Sequence, residues 1–443
     1  MRTRTSAALA VASALALSAT ACGSSHSSGA SGGAAASTSK IAGSGSGAGK
    51  TITVWYMDGD LSDAVQKAIG DKFTADTGAK VNIQVQEWDG INTKIATALA
   101  QGNPPDVVEV GNTDVPLFAA NGALTDISGV QSQMSAGQTW LPGLVGPATV
   151  DGHLYGAPLF AGNRAVIYDK KIWADAGITA APTTFAGLTA DLDKIKAKNT
   201  DPEFSAFYFP GQWWYSALQF VWDAGGQIAT KNGSTWSGAL ESPQAQAGLT
   251  AWKNFVTTYS SQASLNTDNT KPDMNALFAQ GKTATLLNTS MNGILKANPA
   301  MKDQIGTFPF PSSTDGKTQP VFIGGSDLVV PAKSGNQGLA LAYLKAATDP
   351  GVQTSAIVGI DHWTPVSTQL IDQTVSSLQD TSQAFFAAAK NSVATPATPG
   401  WATIESDKSI KEFFADIATG RKSVADAAKG FDAHLAQALN ATS

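Results

Sequence analysis

The segment Pro104-Pro105-Asp106-Val107-Val108-Glu109-Val110-Gly111-Asn112-Thr113-Asp114-Val115-Pro116 constrains the fold more than any other part of the chain. Val107, Val108 and Val110 form a short apolar run closed by Gly111, which reads as a buried strand. A helix then begins near Val115, with Pro116 in its first turn, where a missing N–H costs nothing, and ends at Gly122. A strand, a short loop and a helix in direct succession are the unit of an open α/β sheet, and such sheets bind ligands outside the carboxyl ends of their strands. Asn112, Thr113 and Asp114 occupy that position. Two readings of them stand: they line a site, or they only cap the helix.

The preceding segments repeat the pattern. Strand 51–56 runs into the loop Met57-Asp58-Gly59-Asp60, and helix 61–76 carries Val65, Ile69 and Phe73 at a spacing of four, one buried stripe. Strand 80–86 alternates Val81, Ile83 and Val85 and ends in Glu87-Trp88-Asp89-Gly90, after which helix 91–101 leads back to the opening segment. The result is a parallel βαβαβ unit whose three loops converge on one edge, placing Asp58, Asp60, Trp88, Asn112, Thr113 and Asp114 on a common rim.

Four pieces of this region, in this order, resemble the sugar-uptake branch of the bacterial ABC-transporter extracellular solute-binding proteins. They are Ile52-Thr53-Val54-Trp55, Thr77-Gly78-Ala79-Lys80-Val81, Gln101-Gly102-Asn103-Pro104-Pro105-Asp106 and Phe118-Ala119-Ala120-Asn121-Gly122-Ala123-Leu124. The resemblance continues through Tyr168-Asp169-Lys170, Ala176-Gly177-Ile178, Phe278-Ala279-Gln280-Gly281-Lys282, Gly324-Gly325-Ser326-Asp327 and the segment ending at Pro365-Val366. Asp169 and Phe185 stand where the family pattern has Asn and Trp.

This resemblance implies a two-lobed periplasmic-binding-protein-like α/β fold, each lobe a mixed sheet flanked by helices and joined to the other by hinge crossings. Residues 51–161 and 321–368 would form the first lobe, and 162–320 with 369–443 the second. A length of 443 residues with 43% apolar content agrees, being too much for one core. The implied ligand is a sugar or oligosaccharide held between the lobes of a monomer, with no cofactor or metal. The implied partner is an ABC permease with its ATPase, which recognises the closed form.

The same topology nominates the remaining site residues. The first crossing puts Asn163 and Arg164 on the cleft floor, and strand-end loops bring Ser290 and Asn292, then Gly325 and Ser326, to the edge. Trp213, Trp214 and Tyr215 follow one another at a strand-to-helix corner. Adjacent helical positions point about 100° apart, so the three cannot all enter one core. They are candidate stacking platforms together with Trp363 and Trp401, while Trp252, at helical spacing with Leu249 and Phe255, reads as core.

Charge and motif content narrow the function. The formal charge of −6 becomes −8 without Arg2 and Arg4, which argues against nucleic acid as a partner. With 11 Trp but only 14% charged residues, the balance suits a neutral ligand that has apolar faces. No Gly-x-Ser-x-Gly elbow joins a strand to a helix, no His-Glu-x-x-His is present, and His26, His153, His362 and His434 are scattered. Gly45–Thr51 imitates a phosphate-binding loop but precedes its strand instead of following it. Rim acids such as Asp58, Asp60, Glu87, Asp89 and Asp114 leave two rivals open: a surface-anchored glycoside hydrolase, which needs two carboxyls about 5–10 Å apart, and a polyamine- or peptide-binding protein of the same fold.

Residues 1–21 read as an export signal: basic Arg2 and Arg4, an apolar run from Ala7 to Leu17, and a small-residue end. Cys22, the sole cysteine, follows at the position of an acylated lipoprotein cysteine, although Ala19 stands where Leu is usual. Residues 22–50 then form a lipidated, Gly/Ser/Ala-rich tether of flexible coil, placing the protein on the extracellular face of the cell membrane. Cys22→Ala is expected to move the protein from the membrane fraction to the medium with ligand affinity unchanged. Fractionation checks it, and a variant that stays in the membrane fraction removes the anchor.

Overall fold

The computed structural model describes residues 40–314 and 316–441. The expected signal and Cys22 lie outside the described residues.

Three parallel strands, β1 (Thr51–Met57), β2 (Lys80–Gln86) and β3 (Val107–Gly111), realise the βαβαβ unit in the spatial order β2-β1-β3. Val54 pairs with Val107 and Trp55 with Val108, so the carboxyl ends of the strands open on the same side. The intervening helices Asp63–Thr77 and Ile91–Ala100 bury Val65, Ile69 and Phe73, and Ile91, Ile95 and Leu99, on the stripes their spacing predicts.

The chain then makes β4 (Gly156–Asn163) and β5 (Ala165–Asp169), separated only by Arg164. Residues 159–163, the approach to the first crossing, belong to β4. Backbone pairing accounts for this, because β4 runs antiparallel to β8 (Val321–Val329) along its length. β8 pairs on its other side with β3, antiparallel, and in parallel with the short β9 (Ser392–Val393). β5 instead lies centrally in a second, antiparallel sheet between β6 (Thr285–Asn288) and β7 (Ile305–Phe308).

Two apolar cores are present among the described residues. Val54, Val108, Phe118, Tyr343 and Ile323 belong to the first, and Phe209, Phe220, Trp252, Phe310 and Phe414 to the second. Helix Asp380–Ala389 lies at the junction, contributing Phe385 and Phe386 to the first core while accepting a hydrogen bond at Thr381 from Thr307 of β7.

Residues 204–209, on the strand side of the corner expected before Trp213, make only isolated bridges through Ser205 and Tyr208, because the aromatic side chains are held by core packing and not by a ladder. Near the C-terminus stand two helices, Pro399–Ser406 and Ser409–Thr419, broken where Lys408 takes a left-handed φ of 65°. Finally, the end of the tether is not free coil. The Ala42 N–H donates to the Gly338 carbonyl at 2.9 Å and the Gly47 N–H to that of Thr77 at 3.0 Å. A Cβ on Gly47 would come within 2.6 Å of the Ala79 Cβ, so the lack of a side chain permits this docking.

Trp252 is fully buried, edge-on to Phe414 at a centroid distance of 5.0 Å. Trp252→Ala is expected to destabilise the protein by ~3–5 kcal/mol in a denaturant melt, the usual cost of emptying a large aromatic site. A loss near zero would remove it from the core.

Candidate functional site

At the rim of the first sheet, the 58–60 loop is tied down by the Asp58 N–H, which donates to the Gln86 carbonyl at 2.8 Å. Asp58 is exposed, while the half-buried Asp60 accepts hydrogen bonds from the Trp88 indole and, at 3.3 Å, from the Ser326 hydroxyl. Burial raises the Asp60 pKa from its ordinary value, against the lowering effect of these donors. Trp88 is 40% exposed and stands over Gly111. Gly325 has φ +136°, and a Cβ there would meet the Phe160 carbonyl oxygen, so its contribution is a close backbone approach.

None of the side chains in Asn112-Thr113-Asp114 caps the helix that follows. The Asn112 amide is buried and donates to the carbonyls of Gly143 at 3.3 Å and Ile323 at 3.2 Å, locking the loop to β8. The Thr113 hydroxyl reaches across to the second lobe and donates to Glu405 Oε2 at 3.1 Å. Asp114, with its pKa raised by burial, bonds to the Asn92 side chain.

The three consecutive aromatics divide as their angular spacing requires. Trp213 joins the first core, Trp214 the second, and Tyr215 stands partly open between them. Arg164 lays its guanidinium over Tyr215 at 4.6 Å, Trp213 at 5.5 Å and Phe322 at 5.8 Å. Its Nε is buried without an acceptor, and burial lowers its pKa to about 10, so it stays charged at neutral pH. Burial, then the charge of Glu405, pushes Tyr215 up to about 12.

Trp214 and Trp401, expected among the stacking faces, are covered by protein at 2% and 0% exposure, their rings meeting edge to face at 5.8 Å. Trp401 lies on the first turn of its helix and donates its indole N–H to Glu405 Oε1, one turn on, at 2.8 Å. Among the candidate site residues, the aromatic rings left partly uncovered are those of Tyr215, Trp88 and Trp363.

Trp363 stacks on Phe160 at 4.9 Å and donates its indole N–H to the Asp60 carbonyl at 2.9 Å. With Asn163, Ser290 and Asn292 it lines a cavity of about 510 Å³. The Asn163 amide is buried and donates to the Phe385 carbonyl at 2.8 Å, and its Oδ1 has no donor. The structure thus brings the predicted residues together in two groups, one of Ser290, Asn292, Trp363 and Asp60, the other of Asp114, Tyr215 and Arg164 gathered around Glu405.

Glu405, Glu109, Asn92 and Phe322 were not singled out by sequence. For Glu405 a signal existed: Trp401 and Glu405 are four apart, neighbours on one helix face. For Glu109 the signal was an acid inside a valine run, which must find a partner when buried.

With this geometry in view, the comparisons with known proteins fall into place. Residues 58–354 match the family described as bacterial extracellular solute-binding protein. The diacetylchitobiose-binding protein DasA of Streptomyces coelicolor is 37% identical over 395 residues, covering 88% of this chain and 90% of that one. Among solved structures, the sugar-binding protein MalE of Xanthomonas citri aligns with a TM-score of 0.76 at 21% identity over 88% of this chain and 97% of its own. The GacH receptor of Streptomyces glaucescens, solved unliganded and with acarbose, gives 0.69 at 20% over 89% and 99%. At those identities the structural likeness is one of fold. The chain belongs to the bacterial extracellular solute-binding proteins, a family of binding proteins with two lobes around a cleft.

Burial, then the neighbouring charge of Asp114, pushes Glu405 up to about 7. A carboxyl raised above its ordinary value in the folded protein lends stability that is complete below that ordinary value and is lost as pH rises through the raised one. Relative to Glu405→Gln, the wild-type melting temperature is therefore expected to fall between about pH 5 and about pH 8. Parallel melting curves for the two proteins would exclude this titration.

Proposed function

We propose that this protein captures a sugar or short oligosaccharide in the cleft between its lobes and presents it to the transmembrane permease of an ABC importer. One pairing of aromatics with polar groups carries the reading: Trp88 and Trp363 are both bonded to Asp60, and the Tyr215 ring lies under Arg164 with Glu405 and Asp114 acting on it. A sugar offers C–H faces that rings cover and hydroxyls that acids, amides and a guanidinium bind. Each well-covered face contributes ~1–3 kcal/mol on the scale of side-chain burial.

The name of DasA makes diacetylchitobiose the first ligand to try. Its acetamido carbonyls are acceptors of the kind that a guanidinium such as that of Arg164 binds, and Arg164 Nε has none. Binding without catalysis suits this pair of acids: Asp60 and Glu109 act directly on each other, whereas hydrolysis needs carboxyls about 5–10 Å apart on either side of a bond. In the cell, the protein is exported and held by a lipid on Cys22 at the outer face of the membrane. No helix among the described residues is long and apolar enough to cross one.

The test is a thermal-shift panel of mono- to tetrasaccharides, diacetylchitobiose among them, with product analysis of each mixture. A true ligand at a hundredfold excess over Kd is expected to stabilise the protein by about 2.7 kcal/mol. Tyr215→Ala is expected to weaken that ligand by roughly 1–3 kcal/mol in calorimetry while leaving the melt in its absence near wild type. A panel in which nothing stabilises the protein, or in which saccharides are cleaved, overturns the reading.

A further inference from the structure

Glu109 sits directly behind the loop that carries Asp60. It lies on β3, fully buried between Val108 and Val110. Its Oε2 accepts the Met57 N–H at 2.8 Å, while Oε1 is buried with only the Ser326 hydroxyl and the Asp60 carboxyl acting on it. The Ser326 hydroxyl has one proton and donates it to Asp60 at 3.3 Å, so what remains for Glu109 is the Asp60 carboxyl beside it. A carboxylate only accepts, so two carboxyls can bond to each other only with a proton between them. Asp60 in turn holds both exposed-side indoles, Trp88 through its carboxyl and Trp363 through its backbone carbonyl.

We propose that Glu109 is a positioning residue for the ligand site: it donates its proton to Asp60, and the paired acids hold the 58–60 loop where Trp88 and Trp363 present their rings. The saccharide part of this rests on the reading given under the proposed function. The surroundings supply no cation to replace that proton. The groups acting on the pair are the phenols of Tyr56 on β1 and Tyr343 on helix Gln337–Ala347, bonded to each other at 2.9 Å, together with Asp58 on the loop itself. Removing the proton would place two carboxylates in contact inside the protein, with a third acid nearby.

Burial, then the mutual repulsion of the two acids, accordingly raises Glu109 well above the carboxylate range, and burial raises Asp60 as well. With the folded values raised, the pair's contribution is complete in acid and is lost as the pH climbs through them. Gln at position 109 keeps both bonds without titrating, since its amide can donate to Asp60 while its oxygen accepts from Met57. Leu at that position abolishes both.

The experiment follows the indole N–H resonances of Trp88 and Trp363 in isotope-labelled, ligand-free protein from mildly acid to alkaline pH. Calorimetry with the saccharide that most stabilises the wild type, diacetylchitobiose being the first probe, runs beside it. In the wild type both resonances are expected to move together as pH rises, and in Glu109→Gln to stay fixed. Glu109→Gln is expected to bind the probe like wild type. Glu109→Leu is expected to shift both resonances and to bind on the order of tenfold more weakly, the scale of one buried hydrogen bond left unmade. Resonances that ignore pH in the wild type, or a Glu109→Leu protein with wild-type affinity, overturn the proposal. If Glu109→Leu does not fold, the comparison of wild type with Glu109→Gln decides. If no saccharide binds the wild type, the sugar reading falls, and the ligand-free resonances still judge the carboxyl pair.

Discussion

The cleft exists because the backbone of β8 is hydrogen-bonded on both edges. Ser326 pairs with Gly111 on one side and Phe160 on the other, so three segments far apart in sequence are brought into register at one point. The bulge between Ser326 and Asp327, and the left-handed backbone of Gly325 just before it, turn the strand there. That turn brings the Ser326 hydroxyl onto Asp60. This pairing sets β4 and β8 beside the rim that the loops after β1 and β3 form.

The second consequence of β8 is that one strand serves two interiors. Phe322 enters the second, aromatic core and Ile323, the next residue, the first. Alternation of side chains along a strand makes such sharing possible. It also places the Phe322 ring against Arg164, so the floor of the cleft is built from the same residues that divide the cores.

The sequence made the first lobe's parallel unit readable because its signals are local: a valine run closed by glycine, a stripe at spacing four, a proline in a first turn. The aromatic corner was legible only in part. Angular spacing required Trp213, Trp214 and Tyr215 to diverge, but which ring stays open depends on partners such as Trp401 and Phe322, far away in the chain. Trp401 was misplaced as a platform for the same reason. Its indole N–H is satisfied by Glu405 within its own helix, while its ring is claimed by a core assembled from distant segments. Asn112 shows a different limit: a polar side chain at a strand end suits a ligand contact, yet its donors are spent on carbonyls from two other elements.

Arg164 is the single residue between a strand of one sheet and a strand of the other. A rotation of a few degrees in its backbone dihedrals is therefore a lever with the whole of each lobe as its arm, and displacements of several ångströms at the cleft mouth can be geared to very small movements at this pivot. The side chain on that pivot is itself laid across Tyr215, Trp213 and Phe322. On the proposed reading, the part that turns and the part that touches are one residue. A change at position 164 would then alter the grip and the swing together.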